Sequence, residues 1–182
     1  MIGHKKITEI LAVVCNLLYT FFYLRQNPVC FVFGLISPVL FLLITLRVKL
    51  YADVLLQIFY FLITFYGIWQ WGGEWKKNHI STEAHLVYII SGLIATAALG
   101  YFLKKRTAAQ MPFADSFATI FAMIGTWLMM NFVHENWLYF IVINLVCIYL
   151  FAGRKLYWSA GMFVIYFLMA IDGYWQLGWF TA

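Results

Sequence analysis

Seven predominantly apolar stretches follow one another along this chain, each separated from the next by charges, prolines or small polar clusters. They are Ile7 to Leu24, Val29 to Leu46, Tyr51 to Trp71, His85 to Leu103, Ser116 to Phe132, Trp137 to Phe151 and Tyr157 to Trp179. Roughly 20 mostly apolar residues in a helix cross the hydrocarbon core of a bilayer. The pattern therefore predicts an all-α integral membrane protein with seven transmembrane helices. Pro28 and Pro112 are expected in loops, whereas Pro38 falls inside the second span and should kink it, because its missing N–H and its ring disturb the helical ladder. The longest loop, Gly72 to Ala84, precedes the fourth span.

Within this pattern one stretch occurs twice. KLYADVLLQIFYFLITFYGIWQWG, Lys49 to Gly72, returns as KLYWSAGMFVIYFLMAIDGYWQLG, Lys155 to Gly178, at a constant offset of 106 residues. Lys49, Leu50 and Tyr51 match Lys155, Leu156 and Tyr157; Tyr60, Phe61 and Leu62 match Tyr166, Phe167 and Leu168. Gly67, Trp69, Gln70 and Gly72 match Gly173, Trp175, Gln176 and Gly178. Shared apolar character does not produce a gapless match that keeps Lys, Tyr, Gly, Trp and Gln, so a duplicated structural unit is expected. Carried backward, the same offset pairs span two with six (Phe31 with Trp137, Phe33 with Tyr139, Pro38 with Asn144) and span one with five (Thr20 with Thr126, Phe21 with Trp127). Spans three and seven are four crossings apart and run the same way, which predicts a parallel repeat about an axis along the membrane normal. The expected plan is a three-helix repeat in residues 1–72, a loop and linker helix in 73–106, and a second three-helix repeat in 107–182. An odd linking helix is required because a three-span unit ends on the side opposite its start.

Composition excludes a soluble globule. The chain is 65% hydrophobic and only 10% charged, against about 25% charged for soluble domains. Its net charge of +5 does not point to nucleic acid, because the basic residues stand singly or in twos and threes between apolar runs. They report orientation instead. Lys5, Lys6, Arg47, Lys49, Lys104, Lys105, Arg106, Arg154 and Lys155 fall on one side, and Arg25, Lys76 and Lys77 on the other. That imbalance predicts a cytoplasmic N-terminus and, after seven crossings, an outside C-terminus. The basic N-terminus resembles that of a signal peptide, but its apolar stretch runs on to Tyr23 without a small-residue cleavage site and is expected to be retained. Cys15, Cys30 and Cys147 lack metal-ligand spacing and read as small buried hydrophobes. No metal or cofactor is expected.

Candidate chemistry lies on helix faces. On span three, Gln57, Tyr60, Thr64, Gly67 and Trp71 share one face, and span seven repeats part of it with Tyr166, Ala170 and Gly173. Span five has Thr119, Ala122 and Thr126 at the same spacing, and span one has Asn16, Tyr19 and Tyr23. These faces should look inward, either to bind a ligand or simply to let helices pack closely. Span six places Trp137, Phe140 and Asn144 on one face, with Asn144 about 10 Å below Trp137 at 1.5 Å per residue. A buried amide must find partners, which are either hydroxyls of other helices or the polar edge of a ligand. Trp69, Gln70, Trp71, Trp175 and Gln176 sit at span ends, where an aromatic belt is an alternative to a binding role. Asp172 is the acid well inside a span. It is a candidate site by default, but it aligns with Tyr66, lies near the outer end within reach of interfacial water, and is expected to be structural or to shape the entrance. Asp53 and Asp115 are expected at the inner ends of their spans, and Glu135 outside.

Three stretches resemble the Pnu family of bacterial vitamin transporters: KLYADVLLQIFYFLITFYGIWQW, MPFADSFATI before span five, and ENWLYFIVIN. With the three-one-three plan, which is similar to that of the SWEET sugar carriers in reversed orientation, the likeness covers essentially the whole chain. It implies uptake across the bacterial cytoplasmic membrane by facilitated diffusion, with phosphorylation inside the cell trapping the substrate. It points to Trp137 and Asn144 on span six and to Trp69 and Gln70 on span three. With the inward faces, the candidate substrate-binding set is Trp137, Phe140, Asn144, Gln57, Tyr60, Trp69, Gln70 and Tyr166. Phe140 stands where the family's nicotinamide riboside carriers commonly have a second tryptophan. Nicotinamide riboside is the leading substrate, and thiamine or riboflavin the alternative. Phenylalanine still stacks on a ring while losing an indole N–H donor.

Two other classes are weaker. A membrane enzyme would need a clustered metal set or a nucleophile paired with histidine, yet His4, His79, His85 and His134 sit at span edges or loops. A retinal-type receptor would need a lysine deep in the last span, which has only Lys155 before its start. The expected partners are a small vitamin, the lipid bilayer and, through trapping, a cytoplasmic kinase; a homo-oligomer is an open alternative to a monomer.

Overall fold

The computed structural model describes residues 2–25, 27–70 and 78–180, with side chains from residue 7 onward. Trp71, Gly72 and the loop through Lys77 lie outside the described residues. Seven helices follow in order: α1 (Ile2–Leu24), α2 (Cys30–Arg47), α3 (Tyr51–Gln70), α4 (Thr82–Arg106), α5 (Pro112–Met130), α6 (Asn136–Gly153) and α7 (Tyr157–Trp175). Helices α1 to α6 are long and apolar enough to cross a membrane, so the chain is a multi-pass membrane protein. Helix α7, the seventh expected span, falls short of that apolar character. Its 19 residues include Tyr157, Trp158, Ser159, Asp172, Tyr174 and Trp175, which dilute its apolar character.

Element ends follow local chemistry. Pro112, expected in a loop, instead opens α5, where its absent N–H would have had no helical partner anyway. Ser81 caps α4, its hydroxyl accepting from the Ala84 N–H at 3.2 Å, so this helix starts earlier than the apolar run. Helix α7 stops at Trp175 rather than Trp179, because Gln176 takes left-handed backbone angles at φ 55° and Gly178 follows at φ 80°. Asp172 holds that turn: its two carboxylate oxygens accept from the Trp179 and Phe180 N–H groups at 3.0 and 2.9 Å. It is fully buried beneath the folded-back segment rather than turned to interfacial water, and its geometry is that of a structural clamp.

Helix α2 runs through Pro38 without a break. Proline there leaves the Gly34 carbonyl without its usual donor, and the Thr64 hydroxyl of α3, 3.2 Å away, faces that oxygen while also lying 2.7 Å from its own Tyr60 carbonyl. The hydroxyl's one proton is shared between the two carbonyls, so the α2–α3 contact repairs in part the ladder that the sequence breaks.

Around the molecule, α1 packs on α2, α2 on α3, α3 on α5, α5 on α6, α6 on α7, and α7 on α1, which closes a ring of six helices. Helix α4 lies outside that ring against α5, touching α3 only slightly. Leu86, Val87, Ile90, Leu93 and Ile94 of α4 are exposed, as suits a face covered by lipid. The C-terminal ends of α2, α4 and α6 carry Arg47, Lys49, Lys104, Lys105, Arg106, Arg154 and Lys155; this is the basic end of the bundle. Two buried acids join helices there. Glu9 of α1 accepts from the backbone N–H and hydroxyl of Ser159 on α7 at 3.1 and 3.0 Å. Asp115 of α5 accepts from the Ala52 N–H on α3 at 3.2 Å. Each carboxylate faces the N-terminus of another helix, where orphan N–H groups and the helix dipole favour negative charge.

Candidate substrate-binding site

The six-helix ring encloses a cavity of about 150 Å³, lined by α1, α2, α3, α5, α6 and α7 and by no residue of α4. Six of the eight residues expected at the site line it: Trp137, Phe140 and Asn144 from α6, Gln57 and Tyr60 from α3, and Tyr166 from α7. Trp69 and Gln70 do not. The Trp69 ring is 76% exposed at the far end of α3, the position of an interfacial belt residue. The Gln70 amide donates to the Tyr66 hydroxyl at 2.8 Å, and that hydroxyl in turn donates to Asn131 at 3.4 Å. Gln70 therefore ties α3 to the α5–α6 turn. Of the other faces, Asn16, Tyr19 and Tyr23 of α1 and Ala122 and Thr126 of α5 line the same space, whereas Thr119 of α5 is buried outside its lining.

Trp137 and Phe140 form an aromatic corner, their ring centroids 6.4 Å apart and tilted by 56°. Glycines set both rings. A methyl group on Gly173 of α7 would stand 2.6 Å from the Trp137 indole, and one on Gly125 of α5 would stand 3.3 Å from Phe140. The rings lie directly on neighbouring backbone.

One turn deeper, Asn144 is 4% exposed. Among the described residues its side-chain amide closes no hydrogen bond. A buried polar side chain that closes no hydrogen bond in a native fold calls for an explanation. The buried Tyr166 hydroxyl likewise closes no hydrogen bond of normal length. Both groups face the cavity.

Toward the basic end the lining continues with Asp53 and Asp115, expected from their sequence positions at span ends and outside the site. Asp53 is one helical turn before Gln57, so extending the inward face of α3 by one turn reaches it. The Gln57 amide donates to Asp53 at 3.2 Å, which engages the amide of one expected ligand-binding residue within the protein. Arg154, just past α6, donates to the Leu150 carbonyl at 3.2 Å. Burial lowers its hold on its proton, while the Asp115 and Asp53 charges act in the opposite direction; a guanidinium stays charged in either case. At the opposite end Glu135 meets His79 at 2.6 Å. Partial burial, the largest single influence, would raise this carboxyl, but the His79 hydrogen bond, a backbone hydrogen bond and the His79 and His85 rings together hold Glu135 below its ordinary value.

A closed helical ring around a small cavity with aromatic walls and unsatisfied polar groups, inside a multi-pass membrane protein, is the architecture of a small-molecule carrier. The chain belongs to the nicotinamide mononucleotide transporter family, whose family model matches residues 6–180, and it is a membrane transporter rather than an enzyme. It is 23% identical over 172 residues to the nicotinamide riboside transporter PnuC of Escherichia coli (strain K12), covering 78% of this chain and 72% of that protein. The protein of the same name from Shigella flexneri matches to the same extent. Among solved structures, the crystal structure of the vitamin B3 transporter PnuC superposes with a TM-score of 0.78 at 21% identity, covering 96% of this chain and 81% of that one. The fold is therefore shared.

Proposed function

We propose that this chain takes up nicotinamide riboside across the bacterial cytoplasmic membrane. The observation that carries the reading is Asn144, an amide 4% exposed and without a hydrogen-bond partner among the described residues, on the wall of the central cavity. A flat vitamin ring stacks on Trp137 or Phe140, and Asn144 completes its hydrogen bonds on the ring's polar substituent. Thiamine is the second reading, favoured by Phe140, which offers no indole N–H at the aromatic corner. The cavity of about 150 Å³ is smaller than the roughly 300–1,000 Å³ of most ligand pockets, so a nucleoside enters when the ring of helices parts.

The same proposal includes two parallel three-helix repeats, α1–α3 and α5–α7, joined by α4. Several features recur at the 106-residue offset. Lys49 and Lys155 both take φ 60°, and the Leu50 and Leu156 N–H groups close the same helix-ending bonds at 3.0 Å onto Thr45 and Phe151. Phe31 packs on Gly67 as Trp137 packs on Gly173. Tyr60 and Tyr166, Thr20 and Thr126, and Pro38 and Asn144 are offset partners that all line the cavity, as residues around a pseudo-twofold axis would. The basic end is cytoplasmic, and α7 completes a seventh crossing that leaves the C-terminus outside. Transport is facilitated diffusion, trapped by a cytoplasmic kinase.

Uptake of labelled nicotinamide riboside and thiamine into proteoliposomes tests this. Uptake should equilibrate at equal concentrations, exceed that level only with an enclosed kinase and ATP, and ignore imposed pH or sodium gradients. Asn144→Leu should weaken binding about 5- to 150-fold, the equivalent of one buried hydrogen bond at about 1–3 kcal/mol. Unchanged affinity would remove Asn144 from the site.

A further inference from the structure

Two ionisable carboxyl groups line the cavity at its basic end, Asp53 and Asp115, and among the described residues no Lys, Arg or His lines it. They are 8% and 0% exposed. The groups around them do not cancel their charge. Gln57 gives Asp53 a neutral amide at 3.2 Å. One oxygen of Asp115 accepts from the Ala52 N–H, and its other oxygen is buried without a partner. Arg154 is the cation that acts on both, from outside the lining, and one of its N–H groups is spent on the Leu150 carbonyl. Glu9, the other acid of this end, is occupied at Ser159. One guanidinium thus stands against two carboxyl groups at the cavity floor. The unpartnered Asn144 amide on the same wall marks the space as a ligand site independently of the acids.

We propose that Asp53 is a specificity-determining residue that selects substrates bearing a permanently cationic aromatic ring, with Asp115 as a fixed second charge. The inference rests on the cavity being the vitamin site. A pyridinium joined to ribose through nitrogen and a quaternary thiazolium both carry a positive charge that no proton loss removes, whereas the isoalloxazine of riboflavin is neutral. Counted along the helices at 1.5 Å per residue, Asp53 lies about 10 Å nearer the basic end than Asn144. At that distance, with an effective dielectric of about 20, a unit charge favours a cation over a neutral isostere on the order of 10-fold. Asp115 is anchored to backbone at the N-terminus of α3, whereas Asp53 meets the side-chain amide of Gln57 on its own helix.

Nicotinamide riboside and its 1,4-dihydropyridine form test this directly, because they share a shape and differ in ring charge. Titrated into the purified full-length protein, the cation should bind about 10-fold tighter than the dihydro form, within the range set by one charge at that distance. Asp53→Asn keeps an oxygen to accept from Gln57 and should bring the two affinities within about twofold, chiefly by weakening the cation. Asp53→Glu should keep the preference, and Arg154→Gln, which removes the opposing cation, should enlarge it. A preference that persists in Asp53→Asn overturns the assignment. If Asp53→Asn does not fold, an Arg154→Gln preference no larger than the wild type's overturns it instead. Equal binding of both forms by the wild type leaves the vitamin reading standing and removes charge selection, whereas binding of neither removes the vitamin reading itself.

Discussion

Glycine inside a helix costs about 1 kcal/mol relative to alanine, so its presence at Gly173 needs a reason, and Trp137 supplies one. The indole lies where a β-carbon would be, at 2.6 Å, well inside van der Waals contact. Gly173→Ala should push the indole toward the cavity, lowering substrate affinity by about 10-fold or more and shifting tryptophan fluorescence. Gly161, on the same helix, has nothing within 4 Å of its virtual β-carbon. Gly161→Ala should therefore leave affinity unchanged and raise stability by about 0.4–1 kcal/mol. Equal effects of the two substitutions on affinity would show that the Trp137 contact does not set the site. Asp172 teaches the complementary lesson at this scale: an acid inside a span reads as functional, yet two backbone N–H groups of the following turn account for its two oxygens.

Helices meet here through repairs that neither helix carries alone. The Thr64 hydroxyl stands in for the N–H that Pro38 lacks, at the Gly34 carbonyl. Thr64→Val should cost about 1–3 kcal/mol by orphaning that oxygen, and the cost should shrink in a Pro38→Ala background, where residue 38 regains its own donor. A double-mutant cycle by thermal unfolding in detergent reads the coupling; strict additivity would mean that the hydroxyl does nothing for the proline. At the opposite end, the segment before α4 is stitched to the α5–α6 turn by the Asn78 N–H to the Phe132 carbonyl at 2.8 Å, the His134 N–H to the Asn78 carbonyl at 2.9 Å, and the Glu135–His79 pair. Because Glu135 is held below its ordinary value, its contribution is present above the unfolded carboxyl range, about pH 4.3, and is lost as pH falls through its folded value. Protection of the Asn78 and His134 amides, measured against the intrinsic exchange rate at each pH, should fall below about pH 4, and Glu135→Gln should abolish that loss of protection. The effect should be small, since the His79 side chain is largely exposed.

Across the whole molecule the ring closes through two acid contacts, Glu9 to Ser159 between α1 and α7, and Asp115 to Ala52 between α3 and α5. Glu9 and Asp115 stand at the same offset as the repeated segments, so each acid joins its helix to one from the other half. Opening toward the basic end has to part those contacts. Cys147 lines the cavity and is 7% exposed, which makes its thiol a reporter of opening. In a background with Cys15 and Cys30 replaced by Ala, Glu9→Gln should raise the rate of Cys147 modification by an impermeant maleimide added at the basic side, on the order of 10-fold for about 1.4 kcal/mol. An unchanged rate would reduce the acids to helix caps with no part in gating.

Sequence alone determined the membrane class, the helices and most of the inward faces, because hydrophobic blocks and helical spacing are local properties. It also named Trp137, Phe140, Asn144, Gln57, Tyr60 and Tyr166, whose spacing already placed them on common faces with other small or polar residues. Tertiary structure decided what each face meets. Trp69 and Gln70 recur at the offset as faithfully as Tyr60 does, but at the far end of α3 they stand beyond the ring's interior, a matter of depth that periodicity does not encode. Asp53 and Asp115 look like interfacial acids from their place at span ends; only the closing of α3 against α5 buries them in the cavity floor. Whether Asn144 found a hydroxyl on another helix depended on contacts between residues far apart in the chain, and the packed ring left its amide facing the cavity.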